Sequence, residues 1–110
     1  MEKIAFLICF SINSKKFKNR SERNIFFRKL YGWKQIVPKR KKVYVYKREG
    51  ILDRIPHIRI DQSSFIIPKE EVEEIENFLS EWSDKVIWRK FKVLLDKAFK
   101  EIEEWEDVWR

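Results

Sequence analysis

The stretch Asp84-Lys85-Val86-Ile87-Trp88-Arg89-Lys90-Phe91-Lys92-Val93-Leu94 decides the fold, because its apolar residues fit two different periods. Ile87, Phe91, Leu94, Leu95, Ala98, Ile102, Trp105 and Trp109 step by three and four, which would make one helix from 84 to 109. Val86-Ile87-Trp88 also reads as the start of a strand, and a strand over 85–92 would follow the preceding helix at a usual distance. We prefer the strand, which leaves a C-terminal helix over 93–108.

Working back from there, residues 69–82 read as a helix. Pro68 opens it, Glu70 and Glu71 sit in the first turn where the helix dipole favours negative charge, and Val72, Ile75, Leu79 and Trp82 form one apolar stripe with Phe78 beside it. Before it, residues 57–60 alternate, Asp61-Gln62-Ser63-Ser64 has turn chemistry, and Phe65-Ile66-Ile67 is a further apolar run, together a hairpin or one bulged strand. Residues 51–55 read as a turn or short helix stopped by Pro56.

In the first half, residues 3–12 place Ile4, Phe6, Ile8, Phe10 and Ile12 on one face and Ala5, Leu7 and Cys9 on the other. A strand apolar on both faces is usually central in its sheet. A polar, basic loop follows, and Ser21 is the expected N-cap of a short helix over 22–31 that turns Phe26, Phe27 and Leu30 inward, with Gly32 as its left-handed stop. Residues 33–38 read as a connection. The run Lys39-Arg40-Lys41-Lys42 then leads into a strand over 43–48, whose alternation predicts Val43 and Val45 facing a core and Tyr44 and Tyr46 facing out. The order strand, helix, strand, strand, helix, strand is that of an α+β, ferredoxin-like split βαβ fold, an antiparallel sheet with two helices on one face plus a C-terminal helix.

A chain of 110 residues that is 44% hydrophobic, with two Gly and three Pro, fits a single domain without staples, with residues 1–92 as the ferredoxin-like core and 93–110 as the C-terminal helix. Wealth in Lys, Glu, Arg and Ile, with Gln only at positions 35 and 62, is the bias of proteins from hot-living organisms and points to a thermophilic, archaeal source. Cys9 is the only cysteine and lies in an apolar run, where it reads as a small buried hydrophobe; no internal disulfide can form, which fits the cytoplasm. The apolar run at residues 4–10 lacks the basic start and cleavage site of a secretory signal and is too short to span a bilayer.

Charge is divided unevenly. Residues 1–50 hold 15 Lys and Arg against 3 Asp and Glu, a net of +12, whereas residues 69–110 hold 8 against 13, a net of −5. Such asymmetry points to an anionic partner for the first half, with mutual pairing of two solvated charge sets as the plainer alternative. Lys15, Lys16, Lys18, Arg20, Arg23, Lys39, Arg40, Lys41, Lys42, Lys47 and Arg48 are the candidate phosphate ligands. Tyr44, Tyr46, Trp33 and Phe17 are candidate rings on which bases stack, each equally well explained by packing. Ile102, Trp105 and Trp109 form a second candidate interface, for a protein partner or for the chain's own sheet.

Catalytic chemistry has few residues to work with. His57 stands four residues from Asp53 and from Asp61, but Pro56 interrupts the helix that such spacing would need, so no catalytic or metal-ligating set is assigned. No Gly-rich phosphate loop exists, and no cofactor is expected.

The order of elements, with an apolar first strand, a basic loop and Arg28-Lys29-Leu30-Tyr31-Gly32 closing the first helix, resembles the small ferredoxin-like proteins of CRISPR adaptation over about residues 4–36. The resemblance implies the ferredoxin-like fold and contact with nucleic acid. In that family an acidic residue implicated in metal-dependent nuclease activity ends the first strand, whereas Ser11, Ile12 and Asn13 stand here, so the likeness does not extend to catalysis. The sequence therefore leads to a non-enzymatic nucleic-acid-binding protein, RNA before DNA, acting as a subunit of a ribosome or other ribonucleoprotein. An interaction subunit docking through its Trp-rich helix is the first alternative and a metal-dependent nuclease the second; dimerisation is left open.

Overall fold

The computed structural model describes residues 4–96. The chain is α+β, built from β1 (Ile4–Ile12), α1 (Arg20–Tyr31), β2 (Trp33–Lys39), β3 (Lys42–Arg48), β4 (Ile58–Asp61), β5 (Ser64–Pro68), α2 (Val72–Glu81) and β6 (Val86–Leu94), with short 3-10 turns at Ser14–Lys16, Ile51–Arg54 and Lys69–Glu71. It forms two compact units, one holding residues 4–16 and 56–96 of the described chain, the other residues 17–55.

In the first unit, four strands pair in the order β4-β5-β1-β6, every neighbour antiparallel. β1 is interior, as its two apolar faces predict. The deciding stretch is a strand: β6 pairs with β1 along its whole length, from Ile12 opposite Val86 to Ile4 opposite Leu94. A helix there would leave one side of β1 without partners for its backbone groups, a larger loss than the helical spacing of a few apolar residues could offset. Because β6 continues to Leu94, residues 93 and 94 are strand rather than the start of the expected C-terminal helix; from residue 97 onward that helix lies outside the described residues.

The register sorts the sheet into two faces. Even positions of β1 align Ile8 with Phe65 and Lys90, and Ile12 with Val86; Ile8, Phe10, Phe65, Ile67 and Val86 are buried there. Lys90 on this face pairs with Glu76 of α2, which places α2 over it, and the buried Val72, Ile75, Phe78 and Leu79 are the stripe read from the sequence. Each such side chain contributes about 1.5–3 kcal/mol on burial. Odd positions align Leu7 with Ile66 and Phe91, and Cys9 with Ser64 and Arg89. The β4–β5 turn is held by Asp61, whose Oδ1 accepts from the Ser63 amide at 2.7 Å and the Ser64 hydroxyl at 2.8 Å.

In the second unit, α1 begins two residues earlier than Ser21 would set. Asn19 is the N-cap, its Oδ1 accepting from the Glu22 amide at 2.9 Å, because that side chain reaches the third helical amide while Ser21 is already inside the first turn. Phe26 and Leu30 are buried, and Gly32, at φ 79°, ends the helix with its amide donating to Arg28 O at 2.8 Å. Residues 33–38 are not a connection but most of β2, which pairs with β3 from Trp33 opposite Arg48 to Lys39 opposite Lys42. Pro38 is tolerated because each strand of a two-stranded sheet has one side with no ladder bonds to donate.

The chain's two glycines meet where this hairpin begins and ends. A Cβ on Gly32 would lie 2.5 Å from Asp53 Oδ2 and 2.6 Å from Arg48 O, and one on Gly50 would lie 2.6 Å from both Leu30 O and Tyr31 C. Asp53 Oδ2 also accepts from the Gly50 amide at 2.8 Å. Both positions therefore lack room for a side chain, and at Gly32 the positive φ disfavours one as well.

Candidate nucleic-acid interface

The strand over 43–48 departs from its reading in the sequence. It belongs to the separate β2–β3 ribbon, not to the main sheet, and all seven residues of β3 are exposed. Val43 and Val45, predicted to enter a core, are 63% and 59% exposed, more than Tyr44 at 43% or Tyr46 at 44%. Alternation separates the two faces correctly, but the aliphatic one is exposed, Ile36 opposite Val45 included.

The other face is polar and aromatic. Here Trp33, Gln35, Val37 and Lys39 stand opposite Arg48, Tyr46, Tyr44 and Lys42. Arg48 Nε donates to Gln35 Oε1 at 2.8 Å, and its guanidinium lies 5.5 Å from the centre of the Tyr46 ring. Lys39 Nζ is 6.0 Å from the centre of the Tyr44 ring. At the base, the Arg28 guanidinium stacks 4.2 Å from the centre of the Trp33 ring. Cations placed against rings at these distances attract the negative face of the π system and hold both groups in place.

The tip is the most strongly cationic point. Lys39 and Lys42 close the ladder, and Arg40-Lys41 form a two-residue turn. Among the described residues Arg40 is the one non-glycine residue at positive φ, 50°, a sign pattern that matches a type II′ turn, in which Gly is favoured at this position. The side chains of Lys39, Arg40, Lys41, Lys42 and Tyr44 line one open depression. None of Arg40, Lys41 and Lys42 has an acidic partner among the described residues. Neighbouring cations without counter-charge repel one another and gain from any polyanion that replaces their mobile counterions.

The remaining candidates are distributed as follows. Lys18, Arg20 and Arg23 share the ribbon's unit, whereas Lys15 and Lys16 lie on the 3-10 turn after β1 in the other unit. Arg23 is half-buried with its guanidinium 5.2 Å from the centre of the Phe27 ring, and its Nε is buried with no hydrogen-bond partner. Lys47 projects from the aliphatic face and pairs with Asp53 at 3.5 Å. Phe17 is 7% exposed and is a core residue, not a stacking ring. Ile102, Trp105 and Trp109 lie outside the described residues. Residues 17–55 hold 13 Lys and Arg against 3 Asp and Glu, a net of +10, while described residues 4–16 and 56–96 hold 8 against 9.

Sequence reading missed Gln35, Arg28 and the pairing role of Trp33, all of which follow once the hairpin is known. Its turn carries no Gly or Asn, the usual signal, so the ribbon is not visible in the residue string. The residues a nuclease would need serve other ends: Asp53 caps the Gly50 amide, and Asp61 holds its own turn, where the Ser63 amide and Ser64 hydroxyl keep its carboxyl below the ordinary carboxylate range. Among the described residues no group of three or more His, Cys, Asp and Glu is arranged to hold a metal ion, and no helix is long and apolar enough to cross a membrane. No family model matches the chain, and neither a curated protein nor a solved structure matches it.

Proposed function

We propose that the chain is a non-enzymatic nucleic-acid-binding protein, RNA before DNA, that acts as a subunit of a larger ribonucleoprotein such as a ribosome and grips phosphates with the tip of the β2–β3 ribbon. The observation that carries this reading is a ribbon whose β3 strand is exposed along its whole length, with Lys39, Arg40, Lys41 and Lys42 clustered at its end and no acid beside the last three among the described residues. A two-stranded ribbon gains little for folding from exposed Ile36, Val43, Val45 and two tyrosines, whereas a partner that lies along it can use them all. Phosphates bind at the tip, and Tyr44 and Tyr46 offer faces to unstacked bases or sugars, each base worth about 1–3 kcal/mol. RNA is favoured because exposed rings suit the single-stranded loops and bulges that RNA presents.

We read the main sheet as ferredoxin-like. The order β4-β5-β1-β6, antiparallel throughout, supports this, with the ribbon as an insertion between α1 and the strand that follows it. The resemblance to CRISPR adaptation proteins points to the same class of partner.

The test is filter binding of a single-stranded RNA by the full chain over a salt series. Affinity should fall steeply with salt, and changing Lys39, Arg40, Lys41 and Lys42 together to Gln should reduce the log–log slope by about 3, at about 0.7 per lost phosphate contact. The thermal midpoint should move little, since all four side chains are exposed. Absence of binding at low salt, or an unchanged slope in the variant, would sink the reading.

A further inference from the structure

A second depression, of about 290 Å³, opens at the root of the ribbon and is lined by Ile25, Arg28, Lys29, Trp33 and Glu49. Local geometry explains the grouping. Ile25, Arg28 and Lys29 stand three and four residues apart, which puts them on one face of α1. Gly32 ends the helix, Trp33 opens β2 with its ring against Arg28, and the ladder partner of Trp33, Arg48, brings the next residue, Glu49, alongside.

The charges in this depression stand apart. Among the described residues none of Arg28, Lys29 and Glu49 has an ion pair or a side-chain hydrogen bond, although two cations and an acid border one hollow. The Arg28 guanidinium, 4.2 Å from the centre of the Trp33 ring, is held against that ring and is otherwise exposed, so its outer side and its N–H groups remain available. A ligand that satisfies all three groups needs a flat face for the guanidinium, acceptors for the cations and paired donors for the carboxylate, which can only accept. Guanine alone among the bases carries two neighbouring donors, N1–H and the N2 amino group, on one edge and two acceptors, O6 and N7, on another. Adenine and cytosine offer a carboxylate one amino group, and uracil one N–H. The volume stands at the small end of ligand sites, about 300 Å³, which suits one nucleotide rather than a base pair.

We propose that this depression binds one unpaired guanine nucleotide of the RNA, its base stacked on Arg28, its N1–H and N2 amino group donating to Glu49, and its phosphate on Lys29. The inference rests on the nucleic-acid reading and adds a base preference to it. The six residue steps from Trp33 to Lys39 set this base site about 20 Å from the phosphate-binding tip.

The test is filter binding of the full chain to single strands of equal length: oligo(U), and the same strand with one central G, A or inosine. The strand with G should bind at least about fivefold tighter than those with A or U, the lower end of what one bidentate base contact discriminates. Inosine keeps N1–H, O6 and N7 but lacks the amino group, and should fall between. Glu49 is exposed and lies beyond the end of β3, so Glu49→Gln should leave the fold intact. That change should abolish the preference for G without weakening the binding of oligo(U), since it removes a negative charge beside the phosphates. Equal affinity for strands with and without G, or a preference that survives Glu49→Gln, overturns the proposal and leaves phosphate binding at the tip standing. GMP that binds alone, with no preference for G in the strands, assigns the depression to a free nucleotide and also overturns it. No binding of any strand at low salt overturns both readings.

Discussion

In β1, Ala5, Ile8 and Phe10 are buried, whereas every residue of β3 is exposed, although both strands alternate strong β-forming side chains. The difference lies in their neighbours. β1 has strands on both sides and α2 over one face, while β3 has one partner strand and open surroundings. Charge follows the same division, with a net of +10 on residues 17–55 and near neutrality on the described remainder. Period-two alternation therefore determines which side chains share a face, but whether a face is dry depends on what the rest of the chain lays over it.

The contrast is most directly broken by truncating one aliphatic side chain in each strand. Ile8→Ala should cost about 2–5 kcal/mol in chemical denaturation, because it empties a filled site. Val45→Ala should change stability by no more than about 0.5 kcal/mol, since no packing is lost at an exposed position. Comparable losses would mean that the ribbon packs against something in solution. A smaller effect is expected at the tip. Arg40→Gly removes the conformational penalty of a side chain at positive φ, about 1–2 kcal/mol, partly offset by the greater freedom of Gly in the unfolded chain, so the melting temperature should rise slightly. The same change removes a candidate phosphate contact, and the salt slope for RNA binding should fall by about 0.7–0.9. Stability and binding moving in opposite directions would mark the strained turn as a functional feature.

The smallest effect belongs to the β4–β5 turn. Hydrogen bonds from Ser63 and Ser64 lower the Asp61 pKa in the folded state, so its contribution is present above the ordinary carboxylate pKa and is lost as pH falls through the lowered value. Asp61→Asn should slightly flatten the acid limb of the stability–pH curve and leave it unchanged near neutrality apart from a constant offset. Urea midpoints measured across that limb would check this. An unchanged acid limb would remove Asp61 from the groups that tie this turn to pH.

Much of the main sheet is legible in the residues. The double-sided apolar pattern of β1, the turn chemistry of Asp61-Gln62-Ser63-Ser64 and the stripe of α2 each express a local rule that the packed structure obeys. β2 is not legible, because Pro38 argues against a strand and the Arg40-Lys41 turn contains no Gly or Asn. The start of α1 is displaced because Asn19 and Ser21 are both good caps, and only the reach of the side chain to the Glu22 amide separates them. In the candidate site, the cation run and the ring-bearing face are read directly from the string. The exposure of Val43 and Val45 and the removal of Phe17 into a core are not, since both depend on contacts between segments distant in sequence.

The contact between Gly32 and Gly50 has a consequence for the reach of the ribbon. Its two ends are held together by this close backbone approach and by the Asp53 carboxylate on the Gly50 amide, so β2 and β3 can lengthen or shorten without changing the clamp. Parity then governs the outcome. Adding two residues to each strand would carry the tip outward by about 6.6 Å with its cations on their present sides, while adding one to each would move it about 3.3 Å and exchange the sides on which they project.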